Sequence, residues 1–242
     1  TYKPGKLTIA TGQPAYEPWV MNDKPESGEG YEAAVAYAVA DKLGFKKSDV
    51  VWTRTAFDTA IAPGAKDWDF NIQQFGITDE RKKAVDFSSS YYNDSQSVVV
   101  KKDSKFANAT KVSDLKDATV GVMVGTLAYD YAKANIKDDI QTFNDDAALA
   151  QALDAGQIDV LVTSTVECVY MVQSEQVKDS KVLGRLPDSE DKSGMGIVLP
   201  KDSKLTAAVT KAVDDLNADG TIKKLQDKWL AEYTTDLTEL KK

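Results

Sequence analysis

Short apolar runs rich in β-branched residues alternate along this chain with stretches in which apolar residues recur every three or four positions. The first kind reads as strand and the second as amphipathic helix. Lys6 to Thr11 predicts a strand. The run from Tyr31 carries Ala34, Val35, Ala38, Val39 and Leu43 at helical spacing, with Gly44 placed to close the helix. Val50 to Arg54 is the next strand, Phe57 to Ile61 a short helix, and Asp69 to Gln73 a third strand. Beyond Tyr92 the alternation resumes. Strands are expected at Ser97–Lys101, Ala118–Val124, Ile140–Phe143 and Ile158–Val162, and helices at Val112–Leu115, Leu127–Ile136, Ala147–Ala155 and Thr165–Gln173. The tail from Gly196 adds one strand and two helices.

Strands alternating with helices define an α/β protein with mostly parallel sheets flanked by helices. The strands are too many for one sheet in 242 residues, so two lobes are expected, with a ligand at the carboxyl ends of their strands. No low-complexity linker separates them, which points to extended hinge crossings.

Composition narrows the classes. A net charge of −8 argues against a nucleic-acid partner, since phosphate binding needs a basic face. No run approaches the ~18 apolar residues of a membrane span, and the start has neither a charged nor an apolar signal region. An exported protein of this kind has already lost its signal, and a lipid anchor on the native precursor is compatible with that. The absence of histidine removes the commonest metal ligand and general base, and the lone Cys168 excludes an internal disulfide. No cofactor or metal is expected. Cys168 reads as a core residue, the lysine-rich ending as a solvated tail, and Asn93-Asp-Ser95 and Asn108-Ala-Thr110 as chance matches to a glycosylation sequon.

Three features carry candidate chemistry. Thr78 is placed to cap a short helix containing Glu80 and Arg81, and a guanidinium there suits a carboxylate, which its planar fork can grip by two charge-assisted bonds. The plainer reading is a surface ion pair with Asp79 or Glu80. In Val122–Asp130 a strand runs through Gly125 and Thr126 into a helix, whose first N–H groups can hold an anion; the same pair also serves as an ordinary turn and cap. Aromatic residues at strand ends, Tyr16, Trp19 and Phe57, can wall a small-molecule pocket or form local core.

The segments GYEAAVAYAVADKLG, FDTAIAPGAKDWDFNI, ITDERKKAVDFSSSYY, GVMVGTLAYDYAKANI, IDVLVTS and GTIKKLQDKWL, in that order, resemble the bacterial extracellular solute-binding proteins of family 3. The resemblance spans nearly the whole chain. It implies a two-lobed receptor of the type II periplasmic-binding-protein fold that closes on an amino-acid ligand and delivers it to an ABC transporter permease. A periplasmic or extracellular monomer is implied. So are the lobes, residues 1–92 with 194–242 and residues 93–193, and hinge crossings at Tyr91–Ser95 and Lys192–Gly194. Arg81 matches the family arginine that grips the ligand α-carboxylate, Thr126 with the N–H groups near it the second-lobe contact, Tyr16 and Phe57 the aromatic walls, and Gln74 the strand-end backbone contact.

Departures from the family pattern fall at the same positions. Ser164 stands where an aspartate usually pairs with the ligand ammonium, Gly76 where a hydroxyl donates to the carboxylate, and Gly12 where some members carry an acid. A charge-assisted hydrogen bond contributes about 1.5–3 kcal/mol, so each loss costs tenfold or more in affinity for a plain amino acid. Either another acid takes the ammonium, with Glu17, Asp58 and Glu167 as candidates, or the ligand is a carboxylate without a free amine or a larger molecule filling the added space. A redesigned pocket fits the same losses. Two other functions share this scaffold: an enzyme of dehydratase or lyase type, for which Glu17 or Glu167 would have to serve as acid or base, and a receptor's sensory domain.

Overall fold

A computed structural model describes residues 1–234 and 237–242. The chain divides into two compact units, Thr1–Asn93 with Lys192–Ala231, and Asp94–Asp191 with Glu232–Lys242.

Unit 1 holds, in chain order, β1 (Leu7–Thr11), α1 (Tyr31–Lys42), β2 (Val50–Arg54), α2 (Phe57–Ile61), β3 (Phe70–Asn71), α3 (Asp79–Lys82) and β4 (Val85–Tyr92). Unit 2 follows with β5 (Gln96–Lys101), β6 (Val120–Met123), α4 (Leu127–Asn135), β7 (Ile140–Phe143), α5 (Asp146–Asp154), β8 (Val160–Ser164), α6 (Thr165–Gln173) and β9 (Ser180–Arg185). The chain then returns to unit 1 for β10 (Met195–Pro200), α7 (Thr206–Ala218) and α8 (Thr221–Trp229).

Each unit is built on a five-stranded sheet, ordered β2-β1-β3-β10-β4 in unit 1 and β7-β6-β8-β5-β9 in unit 2. The expectation of mostly parallel sheets needs correction, because both are mixed. β1 runs parallel to β2 and β3, and β6 runs parallel to β7 and β8, but β10 is antiparallel to β3 and β4, and β5 is antiparallel to β8 and β9. The reason is connectivity. Helical crossovers enforce parallel pairing, whereas β5 and β10 enter their sheets directly from the other unit, free of that constraint.

Strand alternation sorts the core of unit 2 onto two faces. Val98, Val100, Val120, Val122, Val160 and Val162 pack with Ala128 and Ala132 of α4, while Val99 and Leu161 pack with Leu149, Leu153, Cys168 and Met171 of α5 and α6. In unit 1 the side chains of Ala10, Phe75, Val85 and Val198 cluster with Ala60 and Trp68, and α1 packs against α7 and α8.

Two further readings change. β4 is not foreseen, because its run of three serines lacks an apolar alternation, yet Val85, Ser88 and Tyr91 are its buried positions. The lysine-rich ending is not a solvated tail. Leu240 is 3% exposed within the core of unit 2, its N–H donates to Arg185 O (2.9 Å), and Lys241 exchanges backbone bonds with Thr110 and Val112 (2.9 Å each). One leucine among the lysines is enough to seat the segment, and it lies with unit 2, not with the lobe to which the resemblance assigns it.

Candidate functional site

In unit 1 the candidate residues gather where β1 and β3 end. Thr78 caps α3 as expected, its hydroxyl accepting from Arg81 N–H at 3.1 Å. That cap turns the arginine back toward the preceding segment, where Nη1 donates to the Gly76 carbonyl at 2.7 Å. The guanidinium carbon lies 5.5 Å from the centre of the Phe57 ring, and Phe57 in turn stacks on the buried Phe75 with ring centres 4.5 Å apart and 28° between planes. Glu80 pairs with Lys83 at 2.7 Å on the exposed side. Arg81 is therefore half-buried, with its guanidinium held by a carbonyl and an aromatic stack.

Residues 12–23 form the neighbouring loop. Arg54, at the end of β2, ties it down by donating to the carbonyls of Gly12 (3.0 Å) and Asp23 (2.7 Å) and by pairing with the Asp23 carboxylate. Tyr16 is half-buried there. Trp19 is fully buried, packed edge-on against Tyr92 at 5.7 Å and near Tyr31 at 6.0 Å, so its ring is local core that supports the loop from within. Glu17 accepts from Asn22 N–H at 3.0 Å, and Asp58 from Thr59 N–H at 2.8 Å, so both acids have local partners.

Gly12 adds no room. A Cβ there would lie 2.8 Å from Pro14 O and 2.9 Å from Gln73 Nε2. The Gln73 amide already occupies the space that an acid at residue 12 would need. Gly76 is buried too, bridged to Met195.

Gln74 is the residue whose surroundings sequence reasoning misses. Its φ is +52°, a left-handed conformation uncommon for anything but glycine, asparagine and aspartate. Its N–H donates to Glu32 Oε2 at 2.9 Å, and its side-chain amide donates to the other oxygen of the same carboxylate. Tyr91 O–H donates to Glu32 as well. Burial pushes the Glu32 carboxyl above its ordinary range, and the three hydrogen bonds oppose that. The one sequence signal was a charge in the otherwise apolar first turn of α1.

In unit 2, Gly125 and Thr126 follow β6, and Thr126 caps α4. Its hydroxyl donates to Met123 O at 2.7 Å and accepts from Tyr129 N–H at 3.3 Å, so what this turn offers an anion is backbone N–H of the first helical turn. Ser164 is the last residue of β8 and bonds to Asp94. The Asp94 carboxylate also accepts from Ser95 N–H (2.7 Å) and from Val166 N–H at the start of α6 (3.4 Å), taking the capping role that Ser164 itself leaves unfilled. Burial lifts Asp94 to about 7. Asp146, in the first turn of α5 and reached by the Thr163 hydroxyl at 3.4 Å, is lifted to about 6 by burial. Glu167 is buried within the first turn of α6. Neither Asp94 nor Asp146 was marked by the sequence, because an acid near a turn reads as an ordinary cap.

Two α/β lobes with candidate binding groups at the carboxyl ends of parallel strands define a ligand-binding receptor of the type II periplasmic-binding class. The chain belongs to the bacterial extracellular solute-binding proteins, family 3, whose pattern it matches over residues 7–232. It is similar to the L-cystine-binding protein TcyJ of Escherichia coli K12, 29% identical over 223 residues that span 91% of this chain and 81% of that protein. It is 28% identical to the L-arginine-binding protein of Pseudomonas aeruginosa over 245 residues, 95% of this chain and 88% of that one. Among solved structures, an ancestral arginine-binding protein bound to arginine is 31% identical with a TM-score of 0.78, covering 94% of this chain and 99% of its own. The protein is accordingly an extracellular or periplasmic binding protein that captures a small amino-acid-like ligand bearing a carboxylate, by lobe closure, for an ABC transporter permease. The family to which it belongs is one of solute-binding proteins.

Proposed function

We propose that Arg81 holds the ligand carboxylate, with Phe57 and Tyr16 as walls, Gln74 and Gly76 as backbone contacts and the first turn of α4, after Gly125 and Thr126, as the second lobe's contribution. The observation that carries this reading is the seating of Arg81 on the Gly76 carbonyl and the Phe57–Phe75 stack. A guanidinium so held loses little further freedom on binding. The ligand is an amino acid of the cationic or cystine-like kind that the relatives' names record, recognised first by its carboxylate and only weakly by its α-amine. Ser164 supplies no charge for that amine, and its hydroxyl is engaged with Asp94.

Calorimetry with L-arginine, L-cystine and their desamino analogues tests both halves. Arg81→Ala should lower affinity for every carboxylate probe by roughly ten- to a hundredfold, the worth of one charge-assisted bond; unchanged affinity refutes the clamp. Removing the α-amine from the probe should cost less than about tenfold in the wild type and more in Ser164→Asp. A wild type that discriminates more than hundredfold in favour of the amine overturns the carboxylate-first reading. Export through a lipid anchor upstream of Thr1 belongs to the same proposal and is tested by fatty-acid labelling of the native protein.

A further inference from the structure

We propose that Glu32 is a positioning residue for ligand capture, holding residues 73–76 in the conformation from which Arg81 is aimed. This rests on the reading of Arg81 as the carboxylate clamp. Glu32 sits in the first turn of α1 and is wholly buried. Its two oxygens serve three donors: Gln74 N–H, the Gln74 side-chain amide and Tyr91 O–H.

Both bonds from Gln74 fall on one carboxylate, and the backbone of Gln74 is left-handed. A non-glycine residue at φ +52° is held there by its surroundings. The surroundings here are Glu32 on one side and, on the other, β10 and the residue before it, where Gly196 N–H donates to Phe75 O (3.0 Å) and Ile77 N–H to Gly194 O (2.9 Å). Between these two attachments lie the Phe75 ring on which Phe57 stacks and the Gly76 carbonyl that receives Arg81. A shift at Gln74 moves the carbonyl and the ring that seat the guanidinium. Tyr91 is fixed in turn, since Tyr31 O–H donates to its carbonyl, and Gln226 of α8 reaches the same two groups at 3.4 and 3.5 Å. The carboxylate thereby links α1, β4 and α8 to the segment that aims the clamp.

The test uses Glu32→Gln, which keeps the shape but replaces one acceptor oxygen with a donor, together with Gln74→Gly, because glycine adopts positive φ without help. Hydrogen exchange on the unliganded protein is read for the peptide spanning residues 73–81, with β1 and β5 as internal controls. Glu32→Gln should speed exchange in that peptide at least tenfold and leave the controls unchanged, and adding Gln74→Gly should reverse most of the acceleration. A uniform acceleration, or no reversal by glycine, gives Glu32 a general packing role and overturns the proposal. Binding is then measured with L-arginine and L-cystine. Glu32→Gln should weaken binding tenfold or more, with partial recovery in the double variant; full affinity in Glu32→Gln also overturns the proposal. If Arg81→Ala leaves binding unchanged, the clamp reading fails, and the exchange pattern alone decides whether Glu32 shapes the segment.

Discussion

Replacing Asp94 with asparagine should make unit 2 progressively more stable, relative to the wild type, as pH rises. Asp94 ionises at about 3.8 when the chain is unfolded and at about 7 in the folded protein, because burial penalises its charged form more than the bonds from Ser95, Val166, Ser164 and Thr165 favour it. Below pH ~4 both states are protonated, and the group contributes no pH dependence. Between pH ~4 and ~7 the folded state binds a proton that the unfolded state has lost, so stability falls with rising pH by about 1.4 kcal/mol per unit. Above pH ~7 both states are ionised, and the accumulated loss levels off at no more than about 4 kcal/mol, three units' worth. Asparagine keeps an acceptor for the backbone N–H groups and has no charge to bury. Asp146 and Glu32 push in the same direction but are common to both proteins, so the difference isolates Asp94. The assay must see unit 2 alone. All four tryptophans, Trp19, Trp52, Trp68 and Trp229, lie in unit 1, whereas Cys168 is fully buried in unit 2. Urea titrations read by pulsed thiol labelling of Cys168 report unit 2, and tryptophan fluorescence serves as the control. A stability difference that does not vary between pH 4.5 and 7.5 would refute the reasoning.

Further expectations follow from single contacts. Leu240→Ala should destabilise unit 2 by about 2–5 kcal/mol in the same labelling assay, whereas a solvated tail would give no change. Gly12→Asp should fail to create an ammonium site and instead lower the melting temperature, through overpacking of about 1–3 kcal/mol against Pro14 O and the Gln73 amide; tighter amino-acid binding without loss of stability would contradict this. Thr126→Ala should cost about 1 kcal/mol through loss of the α4 cap, seen by urea denaturation, with carboxylate affinity falling less than in Arg81→Ala. Cys168 should resist thiol reagents at neutral pH until the protein unfolds, because burial raises its ionisation well above the usual thiol range; rapid modification of the native protein would show the side chain reaching solvent.

Much of the fold was legible because it rests on periodicity. β2 and α2 fall where the pattern of apolar residues puts them, and the Thr78 cap was readable from a hydroxyl three residues ahead of Arg81. β8 ends two residues later than its pattern suggests, which makes Ser164 part of the strand. What stayed hidden depends on distant partners. The buried acids Glu32 and Asp94 owe their surroundings to residues 42 and 72 positions away, and no local pattern encodes that. Gly12 looked like a vacated position; the side chain of Gln73, sixty-one places further on, fills it. The role of Leu240 was masked by the charges around it.

The order of the strands bears on when this protein can fold as it is made. β10 lies between β3 and β4, so unit 1 cannot join its sheet until residue 200 has emerged from the ribosome, and unit 2 lacks Leu240 until residue 240 has followed. Both cores close only over long separations in sequence, and such closure is slow. Until β10 has been made, the sheet of unit 1 stays open, the state in which a polypeptide destined for the outside of the cell can still be threaded across a membrane.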